Sequence, residues 1–205
     1  MFSRFVKSKD ARKGGGLKTT IQILVKTPNE AAISTLMPAL DSPYLCIKRD
    51  ALDAVLRRRS PSGQREVLRR LHELDERLKE IIVNYRTRMS AAVRDAILDE
   101  DEQVCANGCQ AALWFREYDL VPVLIGAAED TSNPGADKAA ATLLELAEML
   151  YEELNSKPDA KRRRDPNKLR RDLVTSLESS VRRFSKHKRR EVIDAFLLLV
   201  RRENA

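Results

Sequence analysis

Residues 89–154 constrain this chain more than any other stretch, because they read as two successive helical hairpins. Ser90 to Leu98 turns into Gln103 to Tyr118, and Leu120 to Glu129 turns into Asp137 to Leu154, with Asp99 and then Asp130 opening the two turns. In the second hairpin Pro122 falls in the first helical turn behind Asp119 as N-cap, where a missing amide costs nothing. The helix stops in Asp130-Thr-Ser-Asn-Pro-Gly135, a run made almost wholly of turn formers. Beyond it Leu143, Ala147, Leu150 and Leu154 recur at steps of four, three and four, one face of an α-helix that has to be buried.

The preceding hairpin repeats the plan. Val93, Ile97, Val104, Leu113 and Trp114 are its candidate core positions, and acidic Asp99-Glu-Asp-Glu102 is its turn, solvated at a helix end rather than holding a cation. Its second helix carries Ala106, Gly108, Ala111 and Ala112, small side chains that let a neighbouring helix approach closely. Gly108 lowers helix propensity, so its presence reads as a concession to packing.

The run Leu120-Val-Pro-Val-Leu-Ile-Gly-Ala-Ala-Glu-Asp130, followed by a helix rich in small residues, resembles a HEAT or HEAT-like repeat, whose first helix commonly has a proline near its start and an aspartate at its end. Pro38 to Leu56 is similar, with turn aspartate Asp41 and then the pattern of Ile47, Lys48, Ala51 and Ala54. Residues 65–89 offer Asp75 as a further turn, yet Val67, Leu71, Leu74, Leu78, Ile81, Ile82 and Tyr85 continue one stripe, so this segment is a hairpin or one long helix. The resemblance covers most of residues 28–155. It implies an all-α fold, a short α-solenoid of stacked antiparallel helical hairpins like that of armadillo proteins, acting as a scaffold whose surface binds a protein or peptide partner. Lys48, Arg49, Gln103 and Asn107, on second helices, are the candidate contact residues. Some HEAT-like proteins are DNA glycosylases, which keeps an enzyme among the alternatives, but the chain carries no phosphate loop, Cys/His pairing or metal set, so a non-catalytic role is expected.

The flanks differ in character. Residues 1–20 read as a basic flexible arm, with Arg4, Lys7, Lys9, Arg12, Lys13 and Lys18 against Asp10 and with Gly14-Gly15-Gly16 as a link. Phe2, Phe5 and Val6 beside these charges suit weak contact with an anionic lipid surface. Ile21, Leu24 and Val25 suggest a short capping helix or a strand. Thr27-Pro-Asn-Glu30 predicts a capping box, and Pro38 ends or bends the helix from Ala31 to Leu40. The next helix, Leu45 to Arg59, ends in Arg57-Arg58-Arg59, cations that complement a helix C-terminus or else form a contact patch. Helical repeats are expected over residues 21–156, a basic connector over 157–165, and a helical hairpin over 166–205 that caps the stack or forms a dimer seam. That hairpin opens with Asp165 as N-cap and carries Leu169, Leu173, Leu177, Val181 and Phe184 on one face. Its last helix, Glu191 to Arg202, is apolar around Ala195 to Val200.

Charge is polarised along the chain. Residues 157–205 hold 16 basic and 7 acidic side chains, whereas residues 21–156 hold 16 basic and 23 acidic. A basic cluster attracts phosphates through counterion release, so nucleic acid is the alternative partner. Its candidate residues are Lys161, Arg162, Arg163, Arg164, Lys168, Arg170, Arg171, Arg182, Arg183, Lys186, Lys188, Arg189 and Arg190. With little aromatic interleaving, such binding is directed at the backbone. The competing reading is a solvated face, or one docked on the acidic body of residues 21–156. Cys105 and Cys109 share a helix face, but a closed zinc site wants four ligands, so they are read as small buried apolar residues, and no metal or cofactor is expected. His72, without a nucleophile in sequence reach, reads as an ordinary surface or boundary histidine rather than a catalytic base. The absence of an 18-residue apolar run and of a signal-like segment predicts a cytoplasmic protein.

Overall fold

The structure, a computed structural model, describes residues 14–156 and 164–200. Most of the basic arm (Arg4, Lys7, Lys9, Arg12, Lys13), its apolar Phe2, Phe5 and Val6, and the connector's Lys161, Arg162 and Arg163 lie outside the described residues. Among the described residues the fold is all-helical, without a strand, and no helix is long and apolar enough to cross a membrane. The chain divides into two compact units, residues 1–67 with 74–85, and residues 68–73 with 86–205.

The first unit comprises α1 (Gly14–Lys26), α2 (Ala31–Leu36), α3 (Leu45–Arg58), α4 (Pro61–Arg69) as far as Val67, and α5 (Glu76–Asn84). α3 is its centre, packed on α1, α2 and α5, with Leu52, Val55 and Leu56 fully enclosed. α1 begins at Gly14, so residues 14–20 are helical rather than part of a flexible link. The glycines occupy a first turn whose amides have no intrahelical partner in any sequence, and buried Ile21 anchors the turn that follows. The expected Thr27–Glu30 capping box does not form. The Thr27 hydroxyl donates back to the Ile23 carbonyl (2.9 Å), and Asn29 Oδ1 accepts the Ala31 amide (2.9 Å). Glu30 accepts instead from the hydroxyls of Ser60 (2.5 Å) and Ser62 (2.7 Å), distant residues that compete for its carboxylate. Pro38 acts as expected: α2 ends at Leu36, and Met37–Asp41 is a 3₁₀ turn with the proline in its opening.

The three arginines that close α3 divide their work. Arg58 donates to the carbonyls of Leu24, Thr27 (2.5 Å) and Asn29 (2.8 Å), so its charge complements the end of α1 rather than that of its own helix. Arg57 pairs with Asp53 at 2.9 Å, and Arg59 takes the left-handed position (φ 57°) that terminates α3. Residues 65–89 are not one helix. A 3₁₀ turn at Leu71–Glu73 follows α4, and Asp75 caps α5 by accepting the Leu78 amide at 2.9 Å. Leu71, Leu74 and Leu78 of the apolar stripe are all buried.

The second unit contains α6 (Ser90–Ile97), α7 (Glu102–Phe115), α8 (Val121–Glu129), α9 (Ala136–Asn155), α10 (Pro166–Val181), the single turn α11 (Phe184–His187) and α12 (Arg190–Val200). α6 packs on α7 and α8 on α9; α7 also meets α9, and α6 meets α8. α10 lies against α8, α9 and α12, and α12 against α9. Val93, Ile97, Val104, Leu143, Ala147 and Leu150 are buried as their periodicity requires, while Trp114, expected in the core, is half-buried. Asp101 rather than Asp99 caps α7, accepting the amides of Gln103 (2.9 Å) and Val104 (3.0 Å), while Asp99 accepts the Asp101 amide. Asp119 is not the N-cap of α8, because a 3₁₀ turn at Tyr118–Leu120 contains it and its carboxylate pairs with Arg164 at 2.7 Å. Asp165 caps α10 as expected. α12 buries Val192, Ala195 and Leu199 and leaves Leu197 half exposed.

Small residues allow this packing. A Cβ on Gly108 would stand 2.8 Å from the backbone nitrogen of Ile97, so α6 and α7 meet at backbone distance where the glycine lies. Cys105 and Cys109 are buried and unoxidised. Cys105 donates to the Ile97 carbonyl (3.2 Å), and the neighbouring Cys109 thiol, together with burial, pushes its own thiol upward, away from reactivity.

Candidate functional site

The four residues expected to form a repeat surface fall in different settings. In the first unit, Lys48 is half-buried and Arg49 is exposed, 3.7 Å from Asp50. In the second, Gln103 is exposed, but Asn107 is only 4% exposed and is not a surface residue. Its Nδ2 donates to the carbonyls of Leu68 (2.9 Å) and Arg69 (3.0 Å), and its Oδ1 accepts from Gln103 Nε2 (3.1 Å). The helix-face count placed it beside Gln103, but the carbonyls it closes are 38 and 39 residues away in sequence. His72 Nδ1 lies 3.1 Å from the same amide, which supports its reading as an ordinary boundary histidine.

Most described cations of the basic tail are exposed, and three of them, Arg170, Arg183 and Arg189, reach across to groups on other helices. Arg183 donates to both oxygens of Glu129 (3.1 and 2.8 Å), and Arg189 donates to the Ala128 carbonyl (2.8 Å) and pairs with Asp137. Arg164 pairs with Asp119, Arg170 donates to the Leu199 carbonyl (3.1 Å), Arg182 pairs with Glu178 (2.6 Å), and Arg190 lies 3.7 Å from Asp194. Four exposed cations, Lys168, Arg171, Lys186 and Lys188, make no ion pair among the described residues.

A buried cluster fastens α10 and α11 to α8. Ser180 donates its hydroxyl to Glu129 Oε1 (2.5 Å), beside the Arg183 bonds. His187, 8% exposed, packs edge-on against Phe184, accepts the Arg189 amide at Nδ1 (3.0 Å) and therefore carries its proton on Nε2, 3.1 Å from the Ser180 carbonyl. A serine, a histidine and a glutamate thus meet, but backbone groups engage both imidazole nitrogens, and the cluster works as a clasp. Burial pushes the Glu129 carboxyl up; the bonds from Arg183 and Ser180 outweigh it and hold the group below its ordinary value. A depressed folded value contributes stability that is present above the unfolded value and lost as pH falls through the folded one. Glu129→Gln is therefore expected to lower stability at pH 7 by about 1 kcal/mol, a modest figure because Arg183 is half exposed. It should also flatten the acid limb below about pH 4.3 in thermal unfolding followed against pH. An unchanged acid limb would remove Glu129 as its source.

A cleft of about 500 Å³ opens where α7 ends. Trp114 and Phe115 supply one wall from the last turn of α7, and Arg116 closes the helix in the left-handed conformation (φ 52°). Glu117 and Tyr118 follow, Glu153 of α9 faces them, and Arg86, Thr87, Arg164 and Leu169 complete the lining. Arg116 and the Tyr118 hydroxyl (2.9 Å) both donate to Glu153 Oε1. Burial, together with the Glu153 carboxylate, pushes the Tyr118 phenol up. Glu117, 8% exposed, is likewise pushed up by burial, against a hydrogen bond from Ser90 and the fields of Arg164 and Arg86. The Arg86 side chain makes no ion pair among the described residues. The arrangement can bind and orient an anion beside an apolar group. Sequence reasoning saw Trp114 as core and Arg164 as part of a phosphate patch, and missed Arg86, Arg116, Glu117 and Glu153. One signal was available, the run Trp114-Phe-Arg-Glu-Tyr118, dense in aromatic and charged residues in a chain with 5% aromatics.

No protein-family model matches this chain, and no curated protein matches it.

Proposed function

We propose that the chain is a non-catalytic interaction module, a HEAT-like, armadillo-like scaffold of the cytoplasm that holds a protein or peptide partner on its helical surface. The observation that supports this is the pairing of like with like in the second unit, with α7 beside α9 and α6 beside α8, as successive hairpins of a solenoid pair. The hairpin of α10 and α12, fastened through Glu129 and Arg189, then serves as the terminal cap that such stacks require. The test is reconstitution of a purified partner with the full chain. Substituting exposed Arg49 and Gln103 together is expected to weaken binding by about ten-fold, roughly 1.4 kcal/mol, with the thermal transition unchanged. Unaltered affinity would remove these two residues as contacts, and turnover in a base-release assay on alkylated DNA would overturn the non-catalytic reading.

The four unpaired tail cations favour one second reading, contact with a nucleic-acid backbone. Because α10 and α12 pack on the body, the appropriate variant replaces Lys168, Arg171, Lys186 and Lys188 by glutamine rather than deleting the tail. Four phosphate contacts correspond to a log–log salt slope of about −3.6, which the variant should lose. Binding to duplex and single strand that ignores salt, or is absent at low salt, would end this reading.

A further inference from the structure

We propose that the cleft at the end of α7 is the seat of a peptide segment that presents one carboxylate next to an apolar side chain. This rests on the reading of the chain as a peptide-binding module and assigns the chemistry of one site within it. The cleft is concave and half open to solvent, mixed in character and, at about 500 Å³, has room for two or three side chains. Its charges select the ligand. Arg116 is already matched by Glu153, and Arg164 by Asp119 at 2.7 Å, whereas the guanidinium of Arg86 has no ion-pair partner among the described residues. The field of Arg86 reaches the Glu117 carboxyl, but its guanidinium makes no hydrogen bond among the described residues, and a planar guanidinium receives a carboxylate through two parallel hydrogen bonds.

The acidic members of the wall argue against a more highly charged ligand. Glu117 and Glu153 stand in the same lining, so a phosphate dianion would be drawn to Arg86 and repelled by two carboxyl groups at once. Glu117 is sequestered, 8% exposed, and engaged by Ser90 within the wall. Trp114 and Leu169 provide the apolar surface for the adjoining side chain, and a large rigid aromatic is the kind of residue that anchors such contacts.

Trp114 is the chain's single tryptophan, so its fluorescence reports directly on the cleft. The experiment titrates the full chain with acetyl-Leu-Phe as the free acid, as its amide, and with phenyl phosphate. The free acid is expected to give a saturable change in Trp114 emission, with the amide bound at least about ten-fold more weakly. Arg86→Gln should remove that preference; Arg86 is exposed and outside every described ion pair, so an unchanged thermal transition would show that the fold persists. Equal binding of acid and amide, or an Arg86→Gln variant that keeps the preference, would overturn the proposal. Tighter binding of phenyl phosphate than of the acid would replace the carboxylate site by a phosphate site. The Arg86→Gln chain, offered the reconstituted partner, separates the two readings: retained capture with no cleft binding by the wild type sinks the cleft alone, and loss of the partner only on substituting Arg49 and Gln103 leaves the module standing without it.

Discussion

Replacing Asn107 by aspartate is expected to destabilise the protein by about 3 kcal/mol at pH 7, although the two side chains have nearly the same shape. The wild-type amide donates to two backbone carbonyls, Leu68 at 2.9 Å and Arg69 at 3.0 Å, from a position only 4% exposed. An ionised aspartate has no hydrogen to give, so two buried acceptors lose their donor and face a negative charge instead. Each unsatisfied buried group costs roughly 1–3 kcal/mol, and the buried charge adds to the loss. Only the Gln103 bond to the retained oxygen, 3.1 Å in the wild type, survives to offset it.

The same geometry fixes the sign of the pH dependence. Carbonyl oxygens and burial both raise the folded-state value of an aspartate at 107 above the unfolded value of about 3.9. The group therefore supports the fold fully only below the unfolded value, where its protonated form donates to one carbonyl, and loses that support as pH rises through the folded value. Urea unfolding of both proteins from pH 3.5 to 8 checks this: the deficit of the variant relative to wild type should grow with pH, while Asn107→Ala should show a smaller, pH-independent deficit of about 2 kcal/mol. A constant deficit for the aspartate variant would mean that position 107 is wetter than its burial indicates.

What the sequence disclosed was local chemistry. Turn aspartates, prolines and apolar steps of three and four located most helix boundaries; Asp165 caps the helix it was expected to open, and Asp75, a candidate turn residue in a segment left as a hairpin or one helix, caps α5. The small residues of α7 foretold a close approach, which Gly108 makes against the backbone of α6. Local rules failed wherever a distant group competed for the same atom. Glu30 had the spacing of a capping box, but Ser60 and Ser62, about 30 residues on, hold its carboxylate; Asp119 had the position of an N-cap, but Arg164 claims it. Charge counting located the basic tail and could not show which way it faces, because Arg183 and Glu129 are 54 positions apart. The cleft was illegible for the same reason, since Arg86, Trp114 and Glu153 converge only through the packing of α7 and α9.

Gly135→Ala is expected to cost about 2–3 kcal/mol, and the cause is contact rather than backbone conformation. Gly135 has φ −93° and ψ 11°, which alanine adopts readily, and on conformational entropy alone the substitution would stabilise by about 0.4–1 kcal/mol. Against that, a Cβ at this position would lie 2.0 Å from Cys105 Sγ and 2.9 Å from Cys105 Cβ, far inside van der Waals contact. Both residues are buried, so either the α8–α9 turn or the helix carrying Cys105 has to shift, and overpacking of that kind outweighs the entropic gain. A double-mutant cycle with Cys105→Ala isolates the clash. Removing the sulfur deletes the 2.0 Å contact and leaves the 2.9 Å one, so relief is partial: the double variant should be more stable than the sum of the single losses by about 1 kcal/mol or more. Chemical denaturation of the four proteins measures this coupling. Additive losses would show that the turn yields without touching Cys105, and that the glycine is held there by something other than the thiol beneath it.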